Sequence, residues 1–265
     1  MKIWAVANQK GGVGKTTTAV NLAGHLVRQN QRVLLVDMDP HGSMTSYFGN
    51  DPDTLEKSVY QLFQAASVDL AETAKRILIP TSVEGLSLLP ASTAMATIDR
   101  QLGTQKGKGL ILKQTFQTLE EDFDHVMIDC PPLLGILMVN ALAACEHLIL
   151  PVQTEFLALK GLERMMHTLD MIIKSRKGDL DYTIVATMYD KRTRAAQESV
   201  DMLRQLYREY LASTIIPIDT QFRDASKQGV PLSVNHPKAR GSIAYQELLE
   251  ELQKNKVSHL RLVNN

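Results

Sequence analysis

The chain has little of what several common protein classes require. Its 265 residues include two cysteines, Cys130 and Cys145, and no Cys-x-x-Cys pair. Two thiols are too few for a disulfide framework, or for a zinc or iron–sulfur centre within one chain. We therefore expect a reducing, cytoplasmic location. Because Cys145 lies in an apolar stretch, we expect it to be a small core residue.

Neither charge nor aromatic content points to a particular partner. The 29 Lys and Arg residues equal the 29 Asp and Glu residues, so the global charge gives no reason to expect binding to nucleic acid or to a membrane. Aromatic residues make up only 5% of the chain. That scarcity is compatible with an α/β protein whose buried strands are filled by Val, Ile and Leu.

Long apolar runs are also missing. No run approaches the roughly 20 residues that span a bilayer. The first residues lead directly into a Gly-rich segment and lack the apolar region and cleavage site of a signal peptide. We therefore expect no membrane insertion.

Strand and helix patterns alternate along the chain. Apolar runs predict strands at 3–8, 32–37, 86–89, 125–129, 147–152, 183–188 and 213–216. Helical periodicity predicts helices at 15–29, 54–75, 110–119, 135–144, 159–174, 195–210 and 241–253, and Gly, Ser, Asn, Asp and Pro at 40–53 predict a loop. The alternation predicts one α/β domain, residues 1–265, with a doubly wound, mostly parallel sheet and helices on both faces.

Ligands of such folds bind beyond the carboxyl ends of the strands. Asn8, Asp37, Asp129 and Met188 each fall at a predicted strand end. Because the strands are expected to be parallel, we predict that these residues share one edge of the sheet.

A phosphate-binding loop follows the first strand. It reads Lys10-Gly11-Gly12-Val13-Gly14-Lys15-Thr16-Thr17. Glycines let backbone N–H groups point into one concavity at a helix N-terminus. The second lysine can reach the terminal phosphates, the first threonine can bind Mg²⁺, and the second can contact the α-phosphate. The sequence therefore predicts ATP and Mg²⁺ as ligands.

The loop departs from the usual G-x-x-x-x-G-K-[ST] pattern, because Gln9 stands where the first glycine would be and Lys10 follows it. At this point the chain resembles the ParA/MinD family of deviant Walker-A ATPases, whose signature is K-G-G-x-G-K-[ST], and the resemblance covers almost the whole chain. It implies an ATP-bound homodimer in which Lys10 contacts the nucleotide of the opposite subunit. The catalytic residues implied are Lys10, Lys15 and Asp39.

Carboxylates follow two of the predicted strands. Asp37 and Asp39 end the second strand, and Asp129 ends an apolar strand in the Walker-B arrangement, where a carboxylate holds Mg²⁺. The resemblance implies that Asp39 orients the attacking water and Asp37 supports the metal. The predicted metal surroundings are Thr16, Asp37, Asp39 and Asp129. The alternative for each aspartate is a plain strand-end residue that caps backbone groups.

The distal half resembles ParA in particular. Ile216-Pro217-Ile218-Asp219 matches the place where adenine lies, so Pro217 and Asp219 are candidate adenine contacts. The resemblance also implies non-specific DNA binding by basic residues, here Arg192, Arg194, Arg223 and Lys227, although Gln221 stands where relatives carry Lys or Arg. The alternative for this cluster is a solvated face.

Two further features bear on the type of ParA. The chain begins at its first strand, so we expect no helix-turn-helix region and no operator binding. The last predicted helix carries Glu247, Glu250 and Glu251 around its leucines, which favours core packing over a membrane contact.

The resemblance implies a slow, Mg²⁺-dependent ATPase that switches with a partner. Residues 39–49 and the opening Ile3-Trp4-Ala5-Val6 resemble ParA-like proteins encoded with chemotaxis genes, which position receptor arrays at the cell pole. The expected partner is a ParB-like protein or a chemotaxis-array adaptor, and the expected location is the pole or the nucleoid. Chromosome or plasmid partitioning and an ATP-dependent metabolic ligase remain alternatives.

Overall fold

A seven-stranded sheet forms the centre of the computed structural model, which describes residues 1–98, 101, 108–175 and 180–254. The strands are β1 (Lys2–Val6), β2 (Val33–Asp37), β3 (Ile79–Pro80), β4 (Leu86–Leu89), β5 (His125–Asp129), β6 (His147–Gln153) and β7 (Asp181–Thr187). Their spatial order is β3-β4-β2-β5-β1-β6-β7. All neighbouring pairs are parallel except β3 and β4. The predicted fold class is confirmed.

Helices connect the strands. In chain order they are α1 (Lys15–Arg28), α2 (Ser43–Tyr47), α3 (Tyr60–Gln64), α4 (Leu70–Ile77), α5 (Ile111–Thr118), α6 (Ile136–Ala144), α7 (Phe156–Ser175), α8 (Arg194–Tyr207), α9 (Gln221–Gln228), α10 (Leu232–Asn235) and α11 (Arg240–Lys254). No helix of the described residues is both long enough and apolar enough to cross a bilayer.

The core has two layers, one on each face of the sheet. Successive residues of a strand point to opposite faces. Along β1, Ala5 therefore packs in one layer, while Trp4 and Val6 pack in the other. Helix α11 buries its leucines in the second layer, as the sequence predicts, and the buried Cys145 belongs to the first. Helices cover both faces, as a doubly wound sheet requires.

Two predictions about residues 40–75 are wrong in detail. The segment 40–53 is not all loop, because it contains the short helix α2. The helix predicted over 54–75 is instead two helices, α3 and α4, joined by a short 3₁₀ turn at Ser67–Asp69. The backbone is extended at Ala65 and Ala66, with ψ near 150° at each, so the helical hydrogen bonds are interrupted there.

The strand predicted at 213–216 is also wrong. Only isolated bridges, Ile184 to Leu211 and Tyr189 to Pro217, flank this segment. The side chain of Glu251 on α11 explains the difference. Its carboxylate accepts the backbone N–H of Ser213 at 2.7 Å and that of Thr214 at 3.2 Å, so these donors are not available to a neighbouring strand.

Helices α9 and α10 were not predicted. Helix α9 buries only one side chain, that of Ala225, and is otherwise polar, so it lacks the apolar stripe that marks a helix in a sequence. Helix α10 has four residues, too few to show a period.

Two buried histidines lie beside Trp4 at the amino-terminal edge of the sheet. The Trp4 ring meets the ring of His125 edge-on at 5.7 Å and that of His147 at 6.1 Å. Burial lowers the pKa of each histidine to about 4. Both are therefore neutral in the folded protein at pH values where the unfolded chain would be protonated.

This difference predicts a loss of stability in mild acid. The lowered pKa values give full stability above pH 6.5, which is lost as pH falls from 6.5 towards 4. At pH 5 each histidine should cost about 2 kcal/mol relative to pH 8. Urea denaturation of the wild type and of the double variant His125→Gln and His147→Gln, at both pH values, measures the effect. Equal pH dependence in the two proteins would contradict it.

Candidate nucleotide and metal site

The phosphate loop joins β1 to α1 at the carboxyl edge of the sheet. Gly12 and Gly14 have φ values of 74° and 92°, which side chains rarely allow. A Cβ built on Gly11 or Gly12 would meet no atom within 4 Å, so open space lies against these residues. An anion would find this space at the N-terminus of α1, where the helix dipole is positive.

Hydrogen bonds fix the loop to neighbouring strands. Asn8 donates from Nδ2 to the carbonyl of Pro151 at 2.8 Å, and its Oδ1 accepts the N–H of Lys10 at 2.8 Å. On the other side, Thr187 donates from Oγ1 to the carbonyl of Val13 at 2.8 Å. The loop is therefore held by β6 and β7 before any ligand arrives, which reduces the entropy cost of binding.

The predicted acidic residues do share this edge. Asp37 and Asp129 are register partners on the adjacent strands β2 and β5, and both are buried. Thr16 donates from Oγ1 to Asp129 Oδ2 at 2.6 Å. Within the described residues, Oδ1 of Asp129 has no hydrogen-bond partner. A buried carboxylate oxygen without a partner is costly, and a cation or its water would satisfy it.

Burial separates the behaviour of these two carboxylates. Asp37 accepts three hydrogen bonds, from the N–H and Oγ1 of Thr45 and from the N–H of Asp39. Asp129 accepts only the one from Thr16. Burial first, and then the charge of its neighbour, raise the pKa of Asp129 well above the usual range. Asp129 is therefore the member of the pair that holds a proton when no cation is present.

Mg²⁺ fits these residues as a shared ligand. Among the described residues, no group of three or more His, Cys, Asp or Glu side chains could hold a metal ion by itself. Mg²⁺ commonly uses one or two carboxylates and completes its shell with water and phosphate oxygens. The Thr16 hydroxyl and the unpartnered Asp129 oxygen suit that pattern, with Asp37 behind them.

Asp39 lies just beyond Asp37. Its Oδ1 accepts the backbone N–H of His41 at 3.0 Å and lies 2.9 Å from the ring Nδ1 of His41. The carboxylate is 12% exposed, so it borders the open space at the rim. His41 is the additional residue that the structure brings to this position, and nothing in its spacing predicted the contact.

The two signature lysines have different surroundings. Lys15 is buried at the start of α1, and no described carboxylate forms an ion pair with its amine, which leaves it available to an anion. Lys10 instead forms an ion pair with Glu155 of its own chain. This pair keeps the Lys10 amine at the loop and was not predicted.

The candidate adenine residues separate. Pro217 lines a cavity of about 400 Å³ together with Tyr189, Asp190, Arg192 and Arg240, among others. Asp219 is not among the lining residues. Its carboxylate accepts the backbone N–H groups of Gly241 and Gln221, at 2.9 and 3.0 Å, and so caps α11 and α9. The role of Asp219 at the base stays a prediction.

The four candidate DNA-binding residues also divide into pairs. Arg192 forms a two-pronged ion pair with Asp190, at 2.6 and 2.8 Å, and Arg194 pairs with Glu198 at 2.6 Å. Arg223 and Lys227 lie one turn apart on α9 and are exposed. No ion pair joins either of them to a described carboxylate. These two cations on α9 are therefore the ones whose charge is not locally neutralised.

The strand, glycine loop and helix, with a carboxylate on the adjacent strand end, define the chain as a P-loop nucleotide-binding protein. A family profile described as an AAA domain matches residues 1–182. The sporulation initiation inhibitor protein Soj of Bacillus subtilis is 36% identical over 96% of this chain and 99% of its own length. The chromosome-partitioning ATPase Soj of Thermus thermophilus is 38% identical over 94% of each. The chain belongs to the ParA/MinD family of deviant Walker-A ATPases.

One solved structure carries a different name. A cobyrinic acid a,c-diamide synthase from Mycobacterium smegmatis, with bound ADP and magnesium, superposes with a TM-score of 0.81 and 35% identity. The match covers 95% of this chain and 94% of that one. Since its identity equals that of the partitioning relatives, the overall fold cannot separate the two activities, and the site must.

The Asp129 carboxylate provides a test of this site without any nucleotide. A raised carboxylate pKa means that the folded state holds a proton which the unfolded state releases. Stability is therefore present below pH 4 and is lost as pH rises towards the folded pKa. We expect Asp129→Asn to unfold at higher urea than wild type, by about 2 kcal/mol at pH 8 and by less at pH 5. A destabilised variant at pH 8 would show that Asp129 is already compensated.

Proposed function

We propose that this chain is a Mg²⁺-dependent ATPase that dimerises when it binds ATP and positions a cellular cargo through that switch. The observation that carries the proposal is the buried, unpartnered oxygen of Asp129 beside the Thr16 hydroxyl, facing a glycine loop with open space against it. ADP and magnesium are bound to the 35% identical synthase structure, which supports the same ligands here.

Each proposed role follows from a position in the structure. Backbone N–H groups from Gly11 to Thr17 and the Lys15 amine hold the phosphates. Thr16 and Asp129 hold Mg²⁺, with Asp37 and Asp39 in the surroundings. When bound, Mg²⁺ supplies positive charge to the terminal phosphate oxygens. Asp39 accepts a hydrogen bond from the attacking water and orients it in line with the γ-phosphate.

Lys10 gives the switch its dependence on a second subunit. Its amine is held by Glu155 in the single chain. Transfer of this cation to the nucleotide of a partner subunit would neutralise phosphate charge only in the dimer, so dimerisation and bound ATP stabilise each other. Without a partner protein we propose slow turnover, because a switch must persist in its ATP state.

Three variants test this switch. With ATP and Mg²⁺, we expect Lys15→Ala to stay monomeric, Lys10→Ala to bind ATP without dimerising, and Asp39→Ala to form a lasting dimer that hydrolyses ATP at least about 100-fold more slowly. Light scattering measures the size, and phosphate release measures the turnover. Lys113→Ala, an exposed lysine on α5, is the matched control. If ATP changes the size of none of these proteins, the switch is refuted.

DNA is the proposed track for the dimer. Phosphate contacts require cations but no particular base sequence. Because Arg192 and Arg194 are paired with carboxylates, we propose that Arg223 and Lys227 on α9 provide most of the affinity, with the other two adding to it after their pairs open.

Fluorescence anisotropy with the Asp39→Ala dimer tests the ranking. We expect the double variant Arg223→Ala and Lys227→Ala to weaken binding at least about tenfold and to reduce the salt slope, since each lost phosphate contact lowers it by nearly one. Arg192→Ala with Arg194→Ala should weaken binding less, and Lys57→Ala with Lys113→Ala should leave it unchanged. Equal loss in all three double variants would contradict a specific basic face.

The cargo that we propose is the polar chemotaxis array, on the resemblance of residues 39–49. The names of the Soj relatives support chromosome partitioning instead. A fluorescent fusion in the native cell separates the two. Loss of receptor foci on deletion, with normal chromosome segregation, supports the array, and the reverse supports partitioning.

A diamide synthase is the second candidate, because of the structural relative with that name. Enzymes that release ammonia from glutamine commonly use a reactive cysteine thiolate. Both cysteines of this chain are buried, and burial raises the pKa of the Cys130 thiol. We therefore expect cobyrinic acid with glutamine or ammonia to leave ATP hydrolysis unchanged. Stimulation of hydrolysis with amide formation would favour the synthase.

A further inference from the structure

The carboxylate of Asp39 is held on one side only. Its Oδ1 accepts two hydrogen bonds from one residue, the backbone N–H of His41 at 3.0 Å and the ring Nδ1 at 2.9 Å. Among the described residues, no hydrogen bond reaches Oδ2. The backbone N–H of Asp39 is used by Asp37 Oδ1 at 3.1 Å, which fixes the residue at its other end.

The His41 ring lies outside the buried part of the site. Its side chain is 79% exposed, whereas the Asp39 side chain is 12% exposed. The Nδ1 atom faces the carboxylate, and Nε2 therefore lies on the solvent side of the ring. For the ring to donate to a carboxylate, a neutral His41 must carry its proton on Nδ1, since an ionised carboxylate is acceptor-only.

We propose that His41 is a positioning residue for ATP hydrolysis. The Nδ1–H group and the backbone N–H hold Oδ1, fix the rotation of the carboxyl group and leave Oδ2 to accept from the attacking water. The inference rests on the proposed function of Asp39 and adds a residue to it. His41 does not touch the reacting atoms and transfers no proton.

The arrangement has a physical basis in the freedom of the carboxyl group. A terminal carboxyl torsion is broad, so a single backbone contact leaves the second oxygen poorly directed. A second donor on the same oxygen restricts that torsion, in the way that a third group orients the base of a catalytic triad. Because the ring is exposed, its removal should leave the fold intact.

The tautomer of His41 tests the contact without nucleotide. At pH 8, where the ring is neutral, long-range ¹⁵N–¹H correlation spectra should show His41 with its proton on Nδ1. In Asp39→Ala the proton should move to Nε2, the usual tautomer of a free ring. An Nε2–H tautomer in the wild type would overturn the proposal, whatever the ATPase activity.

Kinetics of three variants test the positioning. We expect His41→Ala to lower kcat at least about tenfold, the effect of a charge-assisted hydrogen bond, with little change in ATP affinity measured by fluorescent-nucleotide binding. His41→Asn can place its Nδ2 where the ring Nδ1 lies, and it should restore kcat to within about threefold of wild type. His236→Ala, an exposed histidine after α10, is the control.

Two outcomes separate this inference from the function it rests on. If the wild type and Asp39→Ala behave as a switch but His41→Ala keeps its full kcat, the positioning role is wrong and the switch stands. If His41→Ala and His41→Asn lose the same activity, the donor at Nδ1 is not what matters, and the proposal fails. If the wild type does not hydrolyse ATP, the failure lies in the function itself.

Discussion

Two carboxylates side by side in the core are the constraint around which the site is built. The parallel register of β2 and β5 brings Asp37 and Asp129 together with almost no exposure to water. Burial and mutual repulsion oppose two negative charges there. Three hydrogen bonds from Thr45 and Asp39 stabilise one of the charges, whereas the other has only Thr16. The unsatisfied position is where a cation is accepted.

The same edge connects several loops that must act together. The phosphate loop is tied to β6 through Asn8 and to β7 through Thr187. The Asp37 carboxylate is tied to α2 through Thr45, whose hydroxyl in turn accepts the N–H of Ala91. A ligand that settles at the glycines therefore contacts a network that reaches both halves of the sheet, which is the physical basis for a switch.

Much of the site was predictable because its residues follow one another closely in the sequence. Gly11 to Thr17 form one uninterrupted segment whose spacing alone predicts a phosphate loop. Asp37 and Asp129 each end an apolar strand, and parallel strands must place such ends at one edge. The errors occurred where a distant side chain decided the local structure. Glu251 takes the N–H groups of Ser213 and Thr214, so the apolar run there does not become a strand.

The sequence by itself determined the class of fold, the phosphate loop and the edge at which the carboxylates meet, because periodicity, glycine spacing and strand order are local properties of a chain. Only the tertiary structure decided which groups pair across long distances. It assigned Glu155 to Lys10, left one Asp129 oxygen without a partner and used Asp219 to cap two helices. It also neutralised Arg192 and Arg194 while leaving Arg223 and Lys227 exposed. Ion pairs and hydrogen bonds depend on distances of a few ångströms, which residue types and spacing do not encode.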